Sequence, residues 1–297
     1  SSDLNNNGQL GLGNTTGYSS PKQVGALTNW LKVSCGQYHT LAIKTDGTLW
    51  TWGRNSSGEL GLGNGTYYSS PMQVGALTNW VSVVGSQYWS MAIKSDGTLW
   101  GWGQNGNGQL GLGNNTSYSS PKQVGVLTNW ANVSLGQIHT LALKTDGTLW
   151  SWGYNYQGSL GLGFTGGAIS SPVQVGGLTN WSSVSASKFR SSFAIKTDGT
   201  LWAWGYNSLW ALGLGTQTYY SSPKQVGSLT NWSNVSGGQY HGAAIKTDGT
   251  LWSWGYNNYG QLGLNNITNY TSPFKVGLAT NWNLIFCGWN TTIAGQY

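Results

Sequence analysis

The chain repeats itself about every 50 residues, and this periodicity limits its possible folds more than any other feature. The first leucine of an L-G-L motif recurs six times, at Leu10, Leu60, Leu110, Leu160, Leu212 and Leu262. Repeats of this length are single supersecondary units that bury their apolar faces only by stacking on one another. We therefore expect one domain over residues 1–297. Its units are 1–53, 54–103, 104–153, 154–205, 206–255 and 256–297.

Each unit is predicted to contain four short strands. In the first unit they are Pro21–Val24, Leu31–Ser34, His39–Thr45 and Thr48–Gly53. An Asp46-Gly47 pair separates the last two, and Asp-Gly between strand-like segments favours a tight hairpin. Trp50 and Trp52 share one face of their strand, because side chains alternate with a period of two. Stacking of successive units would cover this face.

Four strands per unit with periodic glycine and tryptophan are typical of a β-propeller. We therefore predict an all-β propeller of six four-stranded repeats. The D-G-T-L-W segment occurs only five times, starting at Asp46, Asp96, Asp146, Asp198 and Asp248. The last blade is accordingly expected to lack one strand, with seven blades as the alternative if the chain is a fragment.

Three segments resemble the regulator of chromosome condensation repeat. They are N-x-x-G-Q-L-G-L-G at Asn5–Gly13, S-C-G-Q-Y-H-T-L-A-I at Ser34–Ile43 and D-G-T-L-W-T-W-G-R-N at Asp46–Asn55. The resemblance covers nearly the whole chain. The near-identical copies also resemble repeat proteins of phages and environmental bacteria. It implies a β-propeller but no single function, since the family includes an exchange factor for a small GTPase, a photoreceptor and a secreted inhibitor. Fold does not determine function.

Catalytic groups are not apparent in the sequence. Five of the seven carboxylates lie in Asp-Gly turns, which leaves Asp3 and Glu59 without a paired acid. The glycine-rich segments lack the Lys-Ser/Thr of a phosphate-binding loop. His39, His139 and His241 recur at one repeat position, which would suit a three-histidine metal site. His39 shares strand parity with Leu41 and Ile43, however, and this buried face favours packing. We expect no enzyme activity, no cofactor and no metal.

The charge pattern argues against nucleic acid as a partner. The formal net charge is +6, but Lys44 and its four equivalents each precede a turn aspartate by two residues, so we expect these charges to cancel locally. The remaining Lys and Arg residues are dispersed, whereas phosphate recognition needs convergent cations. No apolar run is long enough to span a bilayer, so membrane insertion is not expected.

Two cysteines occupy one repeat position, Cys35 in the first unit and Cys287 in the last. A small buried thiol fits this position. The alternative is a disulfide that joins the first and last units, which requires Cα atoms within about 7 Å.

Two loops differ between otherwise similar repeats and are predicted to bind a ligand. One follows W-x-W-G and the other precedes the Ser-Pro pair; both are rich in Tyr, Asn, Ser and Gly, as antibody binding sites are. The candidate binding residues are Tyr67, Tyr68, Trp89, Arg190, Trp210, Tyr219 and Tyr220. Ordinary solvent-exposed loops are the alternative interpretation.

We therefore expect a recognition module on an extracellular or virion surface that binds a protein or a glycan. A self-assembling structural subunit is the first alternative, because an unpaired strand edge allows strand addition between subunits. Exchange activity on a small GTPase, implied only by the resemblance, is the second.

Overall fold

The computed structural model describes residues 5–296, which divide into two compact units at residues 133 and 134. Unit 1 contains the strands β1 Trp30–Cys35, β2 His39–Lys44, β3 Leu49–Gly53, β4 Tyr68–Gln73, β5 Trp80–Gly85, β6 Trp89–Lys94, β7 Leu99–Gly103 and β8 Tyr118–Gln123. The division falls within β9, Trp130–Leu135. The strands of both units pair antiparallel.

Unit 2 continues with a further thirteen strands and two single-turn 3-10 helices. The strands are β10 His139–Lys144, β11 Leu149–Tyr154, β12 Ala168–Gln174, β13 Trp181–Ala186, β14 Ser191–Lys196, β15 Leu201–Gly205, β16 Tyr220–Gln225, β17 Trp232–Gly237, β18 His241–Lys246, β19 Leu251–Gly255, β20 Tyr270–Lys275, β21 Trp282–Cys287 and β22 Thr292–Gln296. The 3-10 turns are Tyr156–Gly158 and Ser208–Trp210. None of the described helices is long and apolar enough to cross a membrane.

The sheets are out of phase with the sequence units. Each four-stranded sheet follows chain order, as in β1-β2-β3-β4, and its outermost strand carries the Ser-Pro segment of the next sequence unit. The predicted strand Pro21–Val24 is therefore wrong, since residues 21–24 have no strand assignment. Equivalent segments pair with the third strand of the preceding repeat, and no such strand precedes residue 21 in the described chain.

The final sheet is incomplete. Five sheets have four strands, whereas the sixth consists of β21 and β22 alone among the described residues. A partial last blade was predicted, and the described chain supplies two of its strands. Phe286 and Ile293 in this sheet are 61% and 66% exposed, although Leu41 and Phe193, at the repeat position of Ile293, are fully buried.

The hairpin between the second and third strands confirms the Asp-Gly prediction and shows which groups its aspartate and lysine contact. In all five copies the Asp Oδ1 accepts the hydroxyl of the Thr two residues later at 2.6 Å. These hydrogen bonds from Thr48, far more than Lys44, lower the pKa of Asp46. The lysine ammonium lies instead 3.6–3.8 Å from the centroid of the tryptophan ring two residues after that Thr. A cation over an aromatic face is stabilised by the ring quadrupole.

Within each unit the core forms where successive sheets stack. In unit 1, Leu41, Ile43 and Leu49 of the first sheet pack on Trp80 and Val83 of the second. In unit 2, the sheets around Phe193 and Trp254 pack in the same way. The predicted burial of one sheet face on the next is thus confirmed inside each unit.

The second tryptophan of a W-x-W-G strand also joins its sheet to a loop of the preceding sheet. Trp102 Nε1 donates to the Glu59 carbonyl at 2.9 Å, and Trp204 Nε1 donates to the Ser159 carbonyl at 3.0 Å. Trp254 makes the same bond to Ala211 at 3.0 Å. Because these indoles are fully buried, an unpaired N–H would be costly, so each loop carbonyl is held in one place.

The recurring histidines pack between sheets, as predicted. His39 Nε2 lies 2.9 Å from Ser90 Oγ, and the Ser90 hydroxyl donates to the Glu59 carbonyl. The Ser90 oxygen therefore accepts a hydrogen bond from Nε2–H, and the buried Nδ1 has no hydrogen-bond partner. His139 repeats this arrangement with Ser192 and Ser159. Burial is the main reason why the pKa of His39 falls to about 3 and that of His139 to about 4.

Substitution of hairpin glycines will test how closely the turns approach the neighbouring sheet. Gly199 has φ +75°, and a Cβ there would lie 2.2 Å from the Thr230 carbonyl oxygen. Gly227 has φ +61° with no atom within 4 Å of its Cβ position. Gly199→Ala should therefore lower the free energy of unfolding by about 2 kcal/mol more than Gly227→Ala, as measured by urea denaturation. Equal losses would contradict the close approach.

Acid should destabilise the protein through its three histidines. The pKa of His241 is also lowered, to about 4, so between pH 6.5 and about 4 the unfolded chain binds protons that the folded chain does not. Stability is complete above pH 6.5 and falls as pH decreases, by about 2 kcal/mol per histidine at pH 4.5. Urea denaturation at pH 7 and pH 4.5 measures this loss.

The matched variant His39→Gln keeps an amide donor near Nε2 but cannot be protonated. It should reduce the difference in unfolding free energy between the two pH values by about one third, since it removes one of three histidines. Buried Glu59, whose pKa is raised by desolvation, acts in the opposite direction as a single group. An unchanged pH difference in His39→Gln would contradict the assignment.

Candidate functional site

Antiparallel strands place their connections alternately at two ends of each sheet. We call the end that carries the first-to-second and third-to-fourth strand connections the loop end. The Asp-Gly hairpins lie at the other end. Both loops predicted from sequence variation belong to a single connection, for example residues 206–219 between β15 and β16. They are therefore neighbours at the loop end.

A buried asparagine holds each of these long connections in shape. Asn207 is fully buried and its Nδ2 donates to the carbonyls of Thr216 and Thr218, both at 2.9 Å. Its Oδ1 accepts the Leu212 amide at 2.9 Å. Asn155 and Asn257 make equivalent bonds across their own connections. Side chains on these loops are therefore presented from a fixed backbone rather than from a mobile one.

The loop end of unit 2 carries a continuous surface of aromatic rings around one arginine, which we call the tyrosine platform. Its members are Tyr154, Tyr156, Phe189, Arg190, Tyr206, Tyr219, Tyr240, Tyr256 and Tyr259. Neighbouring ring centroids lie 5.0–6.4 Å apart, a distance range at which aromatic pairs attract. The members are half-buried or exposed, with Tyr259 at 69%.

Arg190 joins two parts of this platform. Its guanidinium carbon lies 4.1 Å from the Tyr156 ring centroid and 4.4 Å from that of Phe189. Its Nε is buried and has no hydrogen-bond partner among the described residues. Its positive charge also contributes, after burial, to the lowered pKa of His139.

Unit 1 has a smaller cluster of the same kind, in which the arginine is neutralised. Arg54 lies 4.4 Å from the Tyr88 ring, which stacks on Tyr38. Its Nε lies 3.7 Å from Glu59 Oε1. Arg54 and Arg190 therefore differ in the presence of a carboxylate, although both contact aromatic rings.

The predicted binding residues in unit 1 lie in two different environments. Tyr67 is 45% exposed at the loop end, and Tyr68 is half-buried where β4 begins. Trp89 is only 1% exposed within β6, so the structure places it in the core and not on the loop surface. Its position is that of His39 in the preceding repeat, which is also buried.

The predicted residues of unit 2 lie on or beside the platform. Arg190 and Tyr219 are members of it, and Tyr219 stacks on Tyr206 with centroids 5.4 Å apart. Tyr220 is half-buried and packs on the core. Trp210 is half-buried in the 3-10 turn at φ +57°, where five other repeats have glycine. A left-handed conformation costs a tryptophan about 1 kcal/mol.

Phe189, Tyr206 and Tyr240 form the centre of the platform and were not among the predicted binding residues. Tyr206 and Tyr240 occupy positions where other repeats also carry tyrosine, so variation between repeats did not single them out. Phe189 lies in the irregular fourth unit. No local pattern indicates that these side chains, up to 51 residues apart, meet in space.

The cysteines lie in different units. Cys35 is exposed at the end of β1, and Cys287 is buried at the end of β21, where burial raises the pKa of its thiol to about 11. The predicted disulfide would join a residue of unit 1 to a residue of unit 2, and it stays a prediction.

A metal site and an apolar depression are the two alternatives to the platform as a candidate site. Among residues 5–296, no three His, Cys, Asp or Glu side chains gather as metal ligands would. An apolar depression in unit 1 is lined by Leu27, Trp30, Trp50 and Pro71 and carries no charged side chain.

Three family models match the chain, and all three describe the same kind of repeat. Residues 5–231 match the RCC1-like domain, and residues 232–261 and 248–294 match the regulator of chromosome condensation (RCC1) repeat. Together these matches cover most of the described chain.

Solved structures support the same fold. Human WBSCR16 is 23% identical, with a TM-score of 0.83 over 98% of this chain and 79% of that chain. Yeast RCC1 (Prp20), solved with Kap60 bound, is 20% identical, with a TM-score of 0.79 over 89% and 67%. Prp20p from Saccharomyces cerevisiae, described with its binding to Gsp1p and histones, is 18% identical, with a TM-score of 0.73 over 99% and 90%. The predicted all-β propeller class is thus confirmed, with five complete sheets and a partial sixth.

Proposed function

Because the chain belongs to the RCC1-like domain family, we propose that it is a non-catalytic recognition module that binds its partner through the loop end of its sheets. The solved relatives are less than 25% identical, so they support the fold and do not identify a partner. The function must therefore be argued from the residues of this chain.

The tyrosine platform is the observation that carries this proposal. Large aromatic side chains and arginine supply most of the binding energy in known interfaces. Here they are contiguous, partly exposed and mounted on loops that buried asparagines hold in place. Such preorganisation lowers the entropy lost on binding. Left-handed Trp210 adds a strained residue to the same connection, and strain of this kind tends to occur at functional sites.

The proposed setting is an extracellular or virion surface, and the proposed partner is a protein or a glycan. Low charge and abundant Asn, Thr, Ser and Tyr support this setting. The dispersed cations support neither nucleic acid nor membrane insertion as the mode of action. No described cluster of charged residues argues for exchange activity on a small GTPase.

The platform variants Tyr206→Ala and Tyr240→Ala test the proposal. Biotinylated protein would be applied to arrays of extracellular proteins and of glycans, and affinities for each hit measured by surface plasmon resonance. We expect both substitutions to weaken binding at least tenfold, because central aromatic residues act as hot spots. Unchanged affinity in both variants would overturn the proposal, as would a parent protein without any hit.

Val173→Ala is the matched control, since Val173 is 39% exposed on strand β12 and is not a platform member. It should bind as the parent does. Thermal unfolding of all variants separates a lost contact from a lost fold.

Self-association is a second candidate function, favoured by the exposed apolar residues of the last sheet. Phe286 and Ile293 are both more than 60% exposed, and β22 pairs only with β21 among the described strands. An apolar sheet face with an unpaired edge readily joins another chain.

Light scattering after size-exclusion chromatography tests this candidate. We expect a species larger than one chain at micromolar concentration, and a monomer for the double variant Phe286→Ser, Ile293→Ser. A monomeric parent protein would contradict self-association while leaving recognition by the platform intact.

A further inference from the structure

The tyrosine platform has an uncompensated positive charge, and this property narrows the chemistry of its ligand. Unit 2 contains three carboxylate side chains among residues 134–296: Asp146, Asp198 and Asp248. Each lies in a hairpin at the end opposite the platform. Arg190 precedes β14 and Asp198 follows it, so the strand separates them by about 20 Å, far beyond a Debye length in physiological salt.

The loop end of unit 2 is accordingly positive and lacks acidic side chains among the described residues. Lys188 lies in the same connection as Arg190, residues 187–190. By contrast, the Arg54 guanidinium in unit 1 lies beside Glu59. An anionic group would thus find an unneutralised partner at Arg190 and a neutralised one at Arg54.

The contacts of Arg190 decide which of its surfaces remains for a ligand. The Tyr156 and Phe189 rings lie 4.1 and 4.4 Å from its guanidinium carbon, and its Nε is buried. The N–H edge formed by the two terminal nitrogens remains, and this edge can bind a carboxylate through two parallel hydrogen bonds. The rings hold the group in place and so reduce the entropy lost when it binds.

The surrounding residues offer ring faces and phenol hydroxyls. Tyr259, Tyr219 and Tyr156 are 69%, 41% and 38% exposed. An aromatic face carries partial negative charge, so it attracts the C–H bonds on the flat side of a pyranose ring. The phenols can donate to and accept from sugar hydroxyls. A ligand made of hydroxylated rings with carboxylates matches the aromatic faces, the phenol hydroxyls and the Arg190 guanidinium.

Two other anionic ligands fit less well. A nucleic-acid strand carries one phosphate per nucleotide and requires several convergent cations, whereas the connections at this end supply Lys188 and Arg190. An acidic peptide is usually held by backbone pairing at a sheet edge or by side-chain pockets. The platform instead offers aromatic rings, of which Phe189 contacts Tyr206 and Tyr240 edge-on while Tyr206 and Tyr219 stack on each other.

We propose that the tyrosine platform binds an acidic oligosaccharide, with its pyranose rings on the tyrosines and a uronic or sialic acid carboxylate on the N–H edge of Arg190. This inference rests on the proposed recognition function and names its ligand class. Tyr156 and Phe189 are positioning residues for the guanidinium, and Tyr206, Tyr219 and Tyr259 are the proposed stacking residues.

The test compares a hexamer of galacturonic acid with the carboxyl-reduced, neutral hexamer by isothermal titration calorimetry on the whole chain. A glycan array with uronic and sialic acid sugars extends the search beyond this probe. We expect an acidic sugar to bind at least tenfold more tightly than its neutral counterpart, because a charge-assisted bidentate bond is lost in the latter. Equal affinities, or no binding by any acidic sugar, would overturn the inference.

Arg190→Gln should remove about tenfold or more of this affinity, and Arg190→Lys should restore only part of it, since an ammonium cannot bond bidentately. Arg54→Gln is the matched control and should bind as the parent does. Equal losses in Arg190→Gln and Arg54→Gln would contradict the site. Thermal unfolding checks that every variant is folded.

The outcome also separates this inference from the broader proposal. If Tyr206→Ala abolishes binding to a protein partner while no acidic sugar binds, the ligand class is wrong and recognition by the platform stands. If no platform substitution affects any binding, both are wrong.

Discussion

The structure depends on one repeated contact, in which a sheet buries a tryptophan against a loop of the preceding sheet. Trp102, Trp204 and Trp254 each donate their indole N–H to a loop carbonyl while their rings fill the core between sheets. A buried N–H without an acceptor would cost more than the bond itself contributes. Each loop is therefore positioned by a sheet that follows it in the chain, and stacking and loop geometry cannot be separated.

This coupling explains how a scaffold with little sequence variation can present a specific surface. The buried face of each long connection is fixed by the tryptophan bond and by an asparagine such as Asn207. The opposite face is not used for packing and can vary. In unit 2 that face carries the tyrosine platform, and in unit 1 it carries the smaller cluster around Arg54. The proposed function therefore depends on residues that the fold does not require.

Much of the apparent chemistry of the sequence belongs to the scaffold. The turn aspartates accept hydrogen bonds from a threonine, and the lysine before each turn forms a cation–π pair with the tryptophan after it. His39 and His139 link adjacent sheets through serine hydroxyls. After burial and the Thr98 hydrogen bonds, Lys94 and Asp96 still act on one another's pKa, but a tryptophan ring and a threonine hydroxyl are the groups that they contact directly. Trp89, predicted to bind a ligand, fills the buried position of a histidine.

The sequence by itself determined the repeat, the Asp-Gly hairpins and the all-β propeller class, since these follow from local turn chemistry and from a period that must bury its apolar face. Variation between repeats also made Arg190 and Tyr219 predicted binding residues, and both lie on the platform. The phase of the sheets was decided by tertiary structure, which pairs the Ser-Pro strand with the preceding unit. Tertiary structure also decided the platform. Phe189, Tyr206 and Tyr240 come from separate connections, which meet only after the sheets stack. Local sequence carries no information on such distant contacts. Arg190 is far from the carboxylate side chains of residues 134–296 because it lies at the loop end of its sheet, whereas the aspartates lie in hairpins at the other end.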